Sequence, residues 1–362
     1  MAESRSLVYA IGMDGPDARV DTDIAALLAD PAWLPHGIAG GGGAVRFVRL
    51  SRAEQRALTF LDDRYVGEDV PRIEVPLAAL AGARPAAEAQ GHFIFHSAFC
   101  CSTLLGRALD ADGLATVLQE PQALVDLAAL LPASVGREPA GPALETILSL
   151  LQRPHQAGEA TIVKPGNFAN PLIEDMLELR PRARALLMYA RLPDFLLAIA
   201  RRGTANRSWA RRMAILYRRH PQFEAIEGRD LLLLTDLQVA AWVWLHQQAQ
   251  FARLVREQPP GRIATLDAAD FLADPARTVA AASALFGLDV DEERAAAIAA
   301  GPAFRQNAKR PGKTFDAAAR KREEAAAKFA HGAEIQEAVI WAGALAARAG
   351  VPLSLEAPLL RP

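Results

Sequence analysis

The stretch "FIFHSAFCCSTLLGRALD" (residues 93–110) passes from an apolar run, through small and sulfur-bearing residues, into a helical pattern. At such a strand-to-helix turn the backbone N–H groups of residues 99 to 103 point toward one locus, where unpaired donors and the helix dipole favour an anion. Ser102 and Thr103 add two hydroxyl donors on the first turn. His96, closing the strand, can donate to a phosphate, act as a base, or be satisfied by a backbone carbonyl beneath the turn. Three further residues stand just after apolar runs and carry charge: Glu120 after "LATVLQ", Lys164 after "TIV" and Arg191 after "LLMYA".

These positions matter if the runs are parallel strands, because ligands then bind beyond the strands' carboxyl ends. From residue 92 the pattern alternates strand and helix, which predicts a parallel sheet covered by helices on both faces. The strands are expected in "HFIFHS", "LATVLQEP", "ATIVKPG", "ARALLMYA" and "GRIATLD". Pro171 is expected to start one helix, Gly203 to stop another, and Thr235 or Asp236 to cap a long one. Residues 1–85 read as a mixed α/β segment, with a strand in "AVRFVRL" and a Ser51–Glu54 capping box opening a helix over "RAEQRALTFLDDRY". "GARPAAEAQG" reads as a linker, residues 86–362 as the main domain, and the stretch from Phe315 to Gly350 as one or two surface helices.

Composition narrows the chemistry. With 40 Lys and Arg against 42 Asp and Glu the net charge is −2, so broad nucleic-acid binding is not expected and an anion must be met locally. No apolar run approaches the roughly 18 residues of a membrane span and no leader pattern opens the chain, which reads as soluble and cytoplasmic. The adjacent Cys100 and Cys101 suit neither a disulfide framework nor zinc, and read as small residues where the backbone turns tightly. The Walker pattern is absent, and "AGGGGAVRF" is a glycine run without its Lys-Ser/Thr ending, read as a flexible loop.

In order and spacing these pieces resemble the sulfotransferase family, enzymes that move a sulfuryl group from 3′-phosphoadenosine 5′-phosphosulfate (PAPS) to an acceptor. "AFCCSTLL" lies over the family loop P-R/K-S-G-T-T-L-L, "TVLQEP" over a strand ending in glutamate, and "TIVKPGNF" over a strand ending in lysine. "RPRARALLMYARLP" resembles the segment ending R-D-P, and "DFLADPARTVAAASALFGL" the ending E-D-L…D-P…F-L-G-L, so the resemblance spans residues 92 to about 290. It implies a three-layer α/β/α fold with a central parallel sheet, P-loop-like and sulfotransferase-like. It also implies that the loop of Phe99, Cys100, Cys101, Ser102 and Thr103 binds the 5′-phosphosulfate and Arg191 the 3′-phosphate. Lys164 would sit near the bridging oxygen and Glu120 would take the proton of an attacking hydroxyl or amine of a small-molecule acceptor, with His96 beside them. A basic C-terminal lid would come from Lys309, Arg310 and Lys313, and no metal is expected.

The chain departs from the family where its loop cation becomes Phe99, its loop glycine Cys101 and its phosphate-binding serine Ile199. Arg107, Arg201 and Arg202 could replace the missing charge. Two other readings stay open: a non-catalytic nucleotide-binding or interaction protein, and a metal-dependent small-molecule kinase, which would need Asp236 or Asp267 at a magnesium ion.

Overall fold

The structure, a computed structural model, describes residues 8–10, 19–20, 23–80, 91–130, 141–218, 231–307, 310–314 and 317–360, with backbone alone at 8–10, 19–20, 307, 310–314, 317 and 320. The N-terminal segment forms an antiparallel sheet from β1 (Val8–Ala10), β2 (Arg19–Val20), β3 (Trp33–Ala39), β4 (Ala44–Arg49) and β5 (Arg72–Pro76), ordered β2-β1-β5-β4-β3. Three short helices accompany it: α1 (Ile24–Ala29), α2 (Arg52–Ala57) and α3 (Leu77–Leu80). The glycine run is a tight hairpin turn between β3 and β4 rather than a flexible loop. Gly40, Gly41 and Gly42 take φ of 58°, 64° and 107°, which side chains resist. The Ser51–Glu54 capping box is present, but α2 ends at Ala57 instead of running on to Tyr65. Leu58 turns extended, and residues beyond it leave the helix to dock on the main sheet, Leu61 donating to the Gln119 carbonyl at 2.8 Å and accepting from Gln122 at 2.9 Å.

The main sheet is built from β6 (Gly91–His96), followed by α4 (Ser102–Leu109); β7 (Ala115–Gln119), followed by α5 (Gln122–Leu130) and α6 (Gly141–Leu151); and β8 (Ala160–Lys164), followed by α7 (Ile173–Leu179). Then come β9 (Ala185–Tyr189), α8 (Leu192–Arg201), α9 (Thr204–Arg218), α10 (Asp236–Glu257) and β10 (Ile263–Asp267). All neighbours pair in parallel in the order β7-β8-β6-β9-β10, so the chain starts in the middle, builds one side and then crosses to the other. Pro171 lies inside a 3-10 turn (Asn167–Leu172) that precedes α7, not at a helix start. Thr235 caps α10 in a reciprocal box with Gln238. The "GARPAAEAQG" linker falls outside the described residues except for Gly91, which opens β6.

Every residue of the five strands is buried, and alternation divides them between two cores. Ile94, Ile162, Leu186 and Met188 face the helices α4, α8, α9 and α10, while Phe93, Phe95, Val163 and Leu187 face the other way, into a cluster shared with Phe47, Val75 and helices α5 to α7. The architecture is three-layered, with the N-terminal sheet packed into the second apolar cluster. Just past α6, the buried Arg153 donates to the carbonyls of Leu27, Leu28 and Asp30 at 2.9 to 3.0 Å and to that of Trp33. Burial lowers its pKa to about 10, and the four carbonyls tie the charge to the N-terminal segment.

After β10 the chain forms α11 (Ala268–Ala273), α12 (Pro275–Phe286), α13 (Glu292–Ala299) and α14 (Pro302–Arg305), a small hairpin of β11 (Gln306–Asn307) and β12 (Arg310–Thr314), and the 33-residue α15 (Ala317–Ala349). The last residues return to the sheet edge, where the Leu359 N–H donates to the Thr265 carbonyl at 2.8 Å.

His92, on β6, accepts the Arg184 N–H at 3.1 Å, and burial, helped by the Arg184 charge, depresses its pKa to about 4. The unfolded chain therefore takes up a proton near pH 6.5 that the folded chain refuses until about pH 4. This contribution to stability is complete above pH 6.5 and is lost as pH falls through that window, by about 3 kcal/mol in all. Urea unfolding from pH 7 to 4.5 should show His92→Gln losing about 2 kcal/mol less than the parent chain; equal losses would contradict this assignment.

Candidate active site

The parallel register decides which side chains meet. Gln119 of β7 pairs with Lys164 of β8, so Glu120 emerges one step past the paired ends, its N–H donating to the Lys164 carbonyl at 2.7 Å. Glu120 holds φ at 53°, a left-handed conformation that turns the chain sharply into α5. Its Oε1 accepts from Lys164 Nζ at 2.7 Å. Lys164 has no solvent exposure, whereas the Glu120 side chain keeps 18 %. A fully buried ammonium requires a counter-charge, and Glu120 supplies it. The Phe60 ring lies 5.5 Å from Nζ as a second, weaker partner.

His96 completes the cluster from β6. Its Nδ1 accepts the Ala98 N–H at 3.1 Å, which implies the neutral tautomer with its proton on Nε2. That nitrogen lies 3.4 Å from Lys164 Nζ and 3.7 Å from Glu120 Oε1, beside the ion pair and beyond hydrogen-bond distance of the carboxylate. Asn170, from the turn after β8, donates to the His96 carbonyl at 3.4 Å. The structure thus brings His96, Glu120 and Lys164 to one point from three adjacent strand ends.

The loop beside them has an unusual backbone. Ala98, Phe99 and Cys101 take φ of 68°, 53° and 62°, three left-handed residues among four and none of them glycine. Each costs roughly 1–2 kcal/mol, and such turns recur at ligand sites, where concave backbone presents N–H groups to anions. Tertiary contacts hold the loop in place. The Ala98 N–H is fixed by His96, and the Phe99 ring packs edge-on against Phe195 of α8 and Trp209 of α9, with centroids 5.7 and 5.2 Å apart. Ser102 and Thr103 form the first turn of α4 behind Cys101. Cys100 is buried and its thiol is pushed up to about 11, chiefly by desolvation, so it is not a nucleophile at neutral pH.

The remaining predicted residues are dispersed. Arg191 caps α8 at the end of β9, with its Nε 2.5 Å from Asp267 and an Nη 3.3 Å from Asp270. The Asp267 hydrogen bond leads in raising its pKa, and 57 % of its side chain stays exposed. Asp194, three residues further along the chain, is not the carboxylate in these contacts. Ile199 is buried in the apolar core. Arg107 reaches the Leu58 carbonyl and Thr59 hydroxyl at 3.4 Å, and Arg201 pairs with Glu324 at 3.4 Å. Arg202 closes α8. Asp236 is engaged by Arg207 and Arg211. Lys309 lies outside the described residues, and Arg310 and Lys313 are described only as backbone of β12. Among the described residues no cluster of three metal-ligating side chains occurs.

Sequence reading missed the wall that residues 59–65 place over the cluster. Arg64 stands 5.3 Å from the Phe60 ring and is held by Asp62, with Glu120 adding a further pull on its charge. The available signal was Thr59-Phe60, a β-branched and aromatic pair where the spacing predicts that the helix continues.

No family model matches the chain, and no curated protein does. Among solved structures the chain is similar to a sulfotransferase from Alicyclobacillus acidocaldarius, at 19% identity over 57% of this chain and 83% of that one, with a TM-score of 0.36. At that level the likeness assigns neither activity nor ligand.

Removing Glu120 leaves the Lys164 ammonium buried without its counter-charge. Glu120→Ala should therefore cost about 3–5 kcal/mol, and adding Lys164→Met should recover most of it. A double variant no more stable than Glu120→Ala in urea unfolding would contradict the pairing.

Proposed function

We propose that the chain transfers a sulfuryl group from PAPS to a hydroxyl or amine of a small-molecule acceptor. The observation that carries this reading is the convergence of a left-handed, helix-capping loop with the Glu120–Lys164–His96 cluster at the carboxyl ends of three adjacent parallel strands. The resemblance of "AFCCSTLL", "TVLQEP" and "TIVKPGNF" to sulfotransferase segments supplies the reaction.

PAPS supplies an activated sulfuryl group on a phosphate leaving group. The residues fit its reactive end. The amides of Phe99 to Thr103 and the hydroxyls of Ser102 and Thr103 would hold its oxyanions, with helix α4 adding its positive end. The fit at the 3′-phosphate is thinner, because Arg191 already shares its donors with Asp267 and Asp270 and would bind through what it keeps exposed.

Glu120 accepts the acceptor's proton as the new bond to sulfur forms and the bond from sulfur to the phosphate oxygen breaks. The same event frees Lys164. Once Glu120 is neutral, the ammonium loses its counter-charge and turns its attraction to the negative charge arriving on the leaving oxygen. His96, by accepting the loop N–H on Nδ1 while its Nε2 lies beside Lys164 and Glu120, keeps the two halves of the site in register.

Thermal unfolding in adenosine 3′,5′-bisphosphate should show stabilisation that ATP with magnesium does not match, and Lys164→Ala or Arg191→Ala should remove it. With PAPS and a panel of hydroxyl and amine acceptors read by mass spectrometry, Glu120→Gln should slow sulfation by about 10²–10⁴. Stabilisation by ATP-magnesium alone would favour a kinase instead, and a bisphosphate shift surviving both substitutions would overturn the site.

A further inference from the structure

The long helix α15 carries two unlike faces. Ile335, Ala338, Ala342 and Leu345 are buried in the core against α8 and α10. On the opposite side Phe329 is 96 % exposed and Ile340 64 % exposed. Single exposed apolar residues are ordinary, but these two share one stripe. Ala326, Phe329, Ala333, Gln336, Ile340 and Ala347 follow one another at intervals of three and four residues, with Gly343 filling the gap, and all six are exposed. That spacing is the seam of a helix pair. No charged side chain lies on the stripe between Ala326 and Ala347, a length of about 30 Å, and alanine and glycine between the two large side chains let a second helix approach closely.

We infer that α15 pairs antiparallel with α15 of a second copy of this chain. The stripe is complementary to itself in that direction. Phe329 and Ile340 lie at equal distances from a point between residues 334 and 335, so a copy reversed about that point sets Phe329 against the partner subunit's Ile340, and Ile340 against the partner's Phe329. The charges at the two ends of one flank agree, although Glu337 near the middle of that flank approaches its own copy. Glu323 and Arg348 are both exposed on one flank of the stripe, and the same reversal brings Glu323 to within two residues, about 3 Å along the axis, of Arg348 of the partner subunit. Two such pairs form, one at each end of the seam. A parallel pair would instead set Glu323 beside the partner's Glu323. The inference is independent of the sulfuryl-transfer reading, since α15 contributes no residue to the cluster around Lys164.

Sedimentation velocity of the full chain across micromolar concentrations should show a reversible species of twice the chain mass. Phe329→Glu and Ile340→Lys should each raise its dissociation constant about tenfold or more, with thermal midpoints unchanged at concentrations where the parent chain is monomeric, because both positions are exposed in the single chain. Mixing the two variants should restore a heterodimer tighter than either homodimer. In that mixture the carboxylate introduced in one variant faces the ammonium introduced in the other within one layer, while the other layer keeps its native pairing of Phe329 with Ile340. A chain monomeric at every concentration, a dimer indifferent to both substitutions, or a mixture no tighter than its components would each overturn the proposal.

Discussion

An ammonium ion without water contact must be given its counter-charge by the fold, and the arrangement around Lys164 follows from that requirement. The lysine ends a strand buried on both faces, so its side chain cannot reach solvent by bending away. Parallel pairing sets β7 beside it in a register that delivers Glu120 one residue past the strand end, and the left-handed turn at Glu120 aims the carboxylate back across the gap. The N-terminal segment then closes over the pair with Phe60. A charge pair so enclosed is weak evidence for stability, because desolvation opposes much of its attraction. Its value lies in reactivity: protonating one partner changes what the other can do.

The neighbouring loop presents a related problem. Where a phosphate-binding turn ordinarily relies on glycine for left-handed backbone, this chain uses alanine, phenylalanine and cysteine and meets the strain with tertiary contacts. His96 pins one end through the Ala98 amide. The Phe99 ring, occupying the position of a cation in the resembling family, is directed sideways into an aromatic group with Phe195 and Trp209, not across the loop. Aromatic contacts of this kind contribute about 0.5–1.5 kcal/mol each beyond burial, which is comparable to the conformational cost they offset. The loop is therefore built from the core outward, and α8 and α9 are part of its support.

Much of the main sheet was legible from the sequence, because fully buried parallel strands read as unbroken apolar runs and their punctuation is local: Thr235 at the start of α10, Gly203 past α8. The strand ends bearing His96, Glu120 and Lys164 could be named for the same reason, since position after a buried run is a sequence property. What could not be read was strand order and register. That Arg191 faces Asp267 and Asp270 depends on β9 lying beside β10, a pairing between residues far apart in the chain. The hairpin made by the glycine run, the early end of α2 and the wall of residues 59–65 were missed because local propensity permits each of them and pairing or packing with distant residues settles it.

In the proposed function residues 99–103 and Lys164 together grip an anhydride-bearing nucleotide. A crystal structure with adenosine 3′,5′-bisphosphate tests it most directly. The 5′-phosphate should lie within hydrogen-bond distance of the loop amides and of Lys164 Nζ, with the Phe99 ring still against Trp209. A nucleotide bound elsewhere, or the ring swung into the loop, would contradict it.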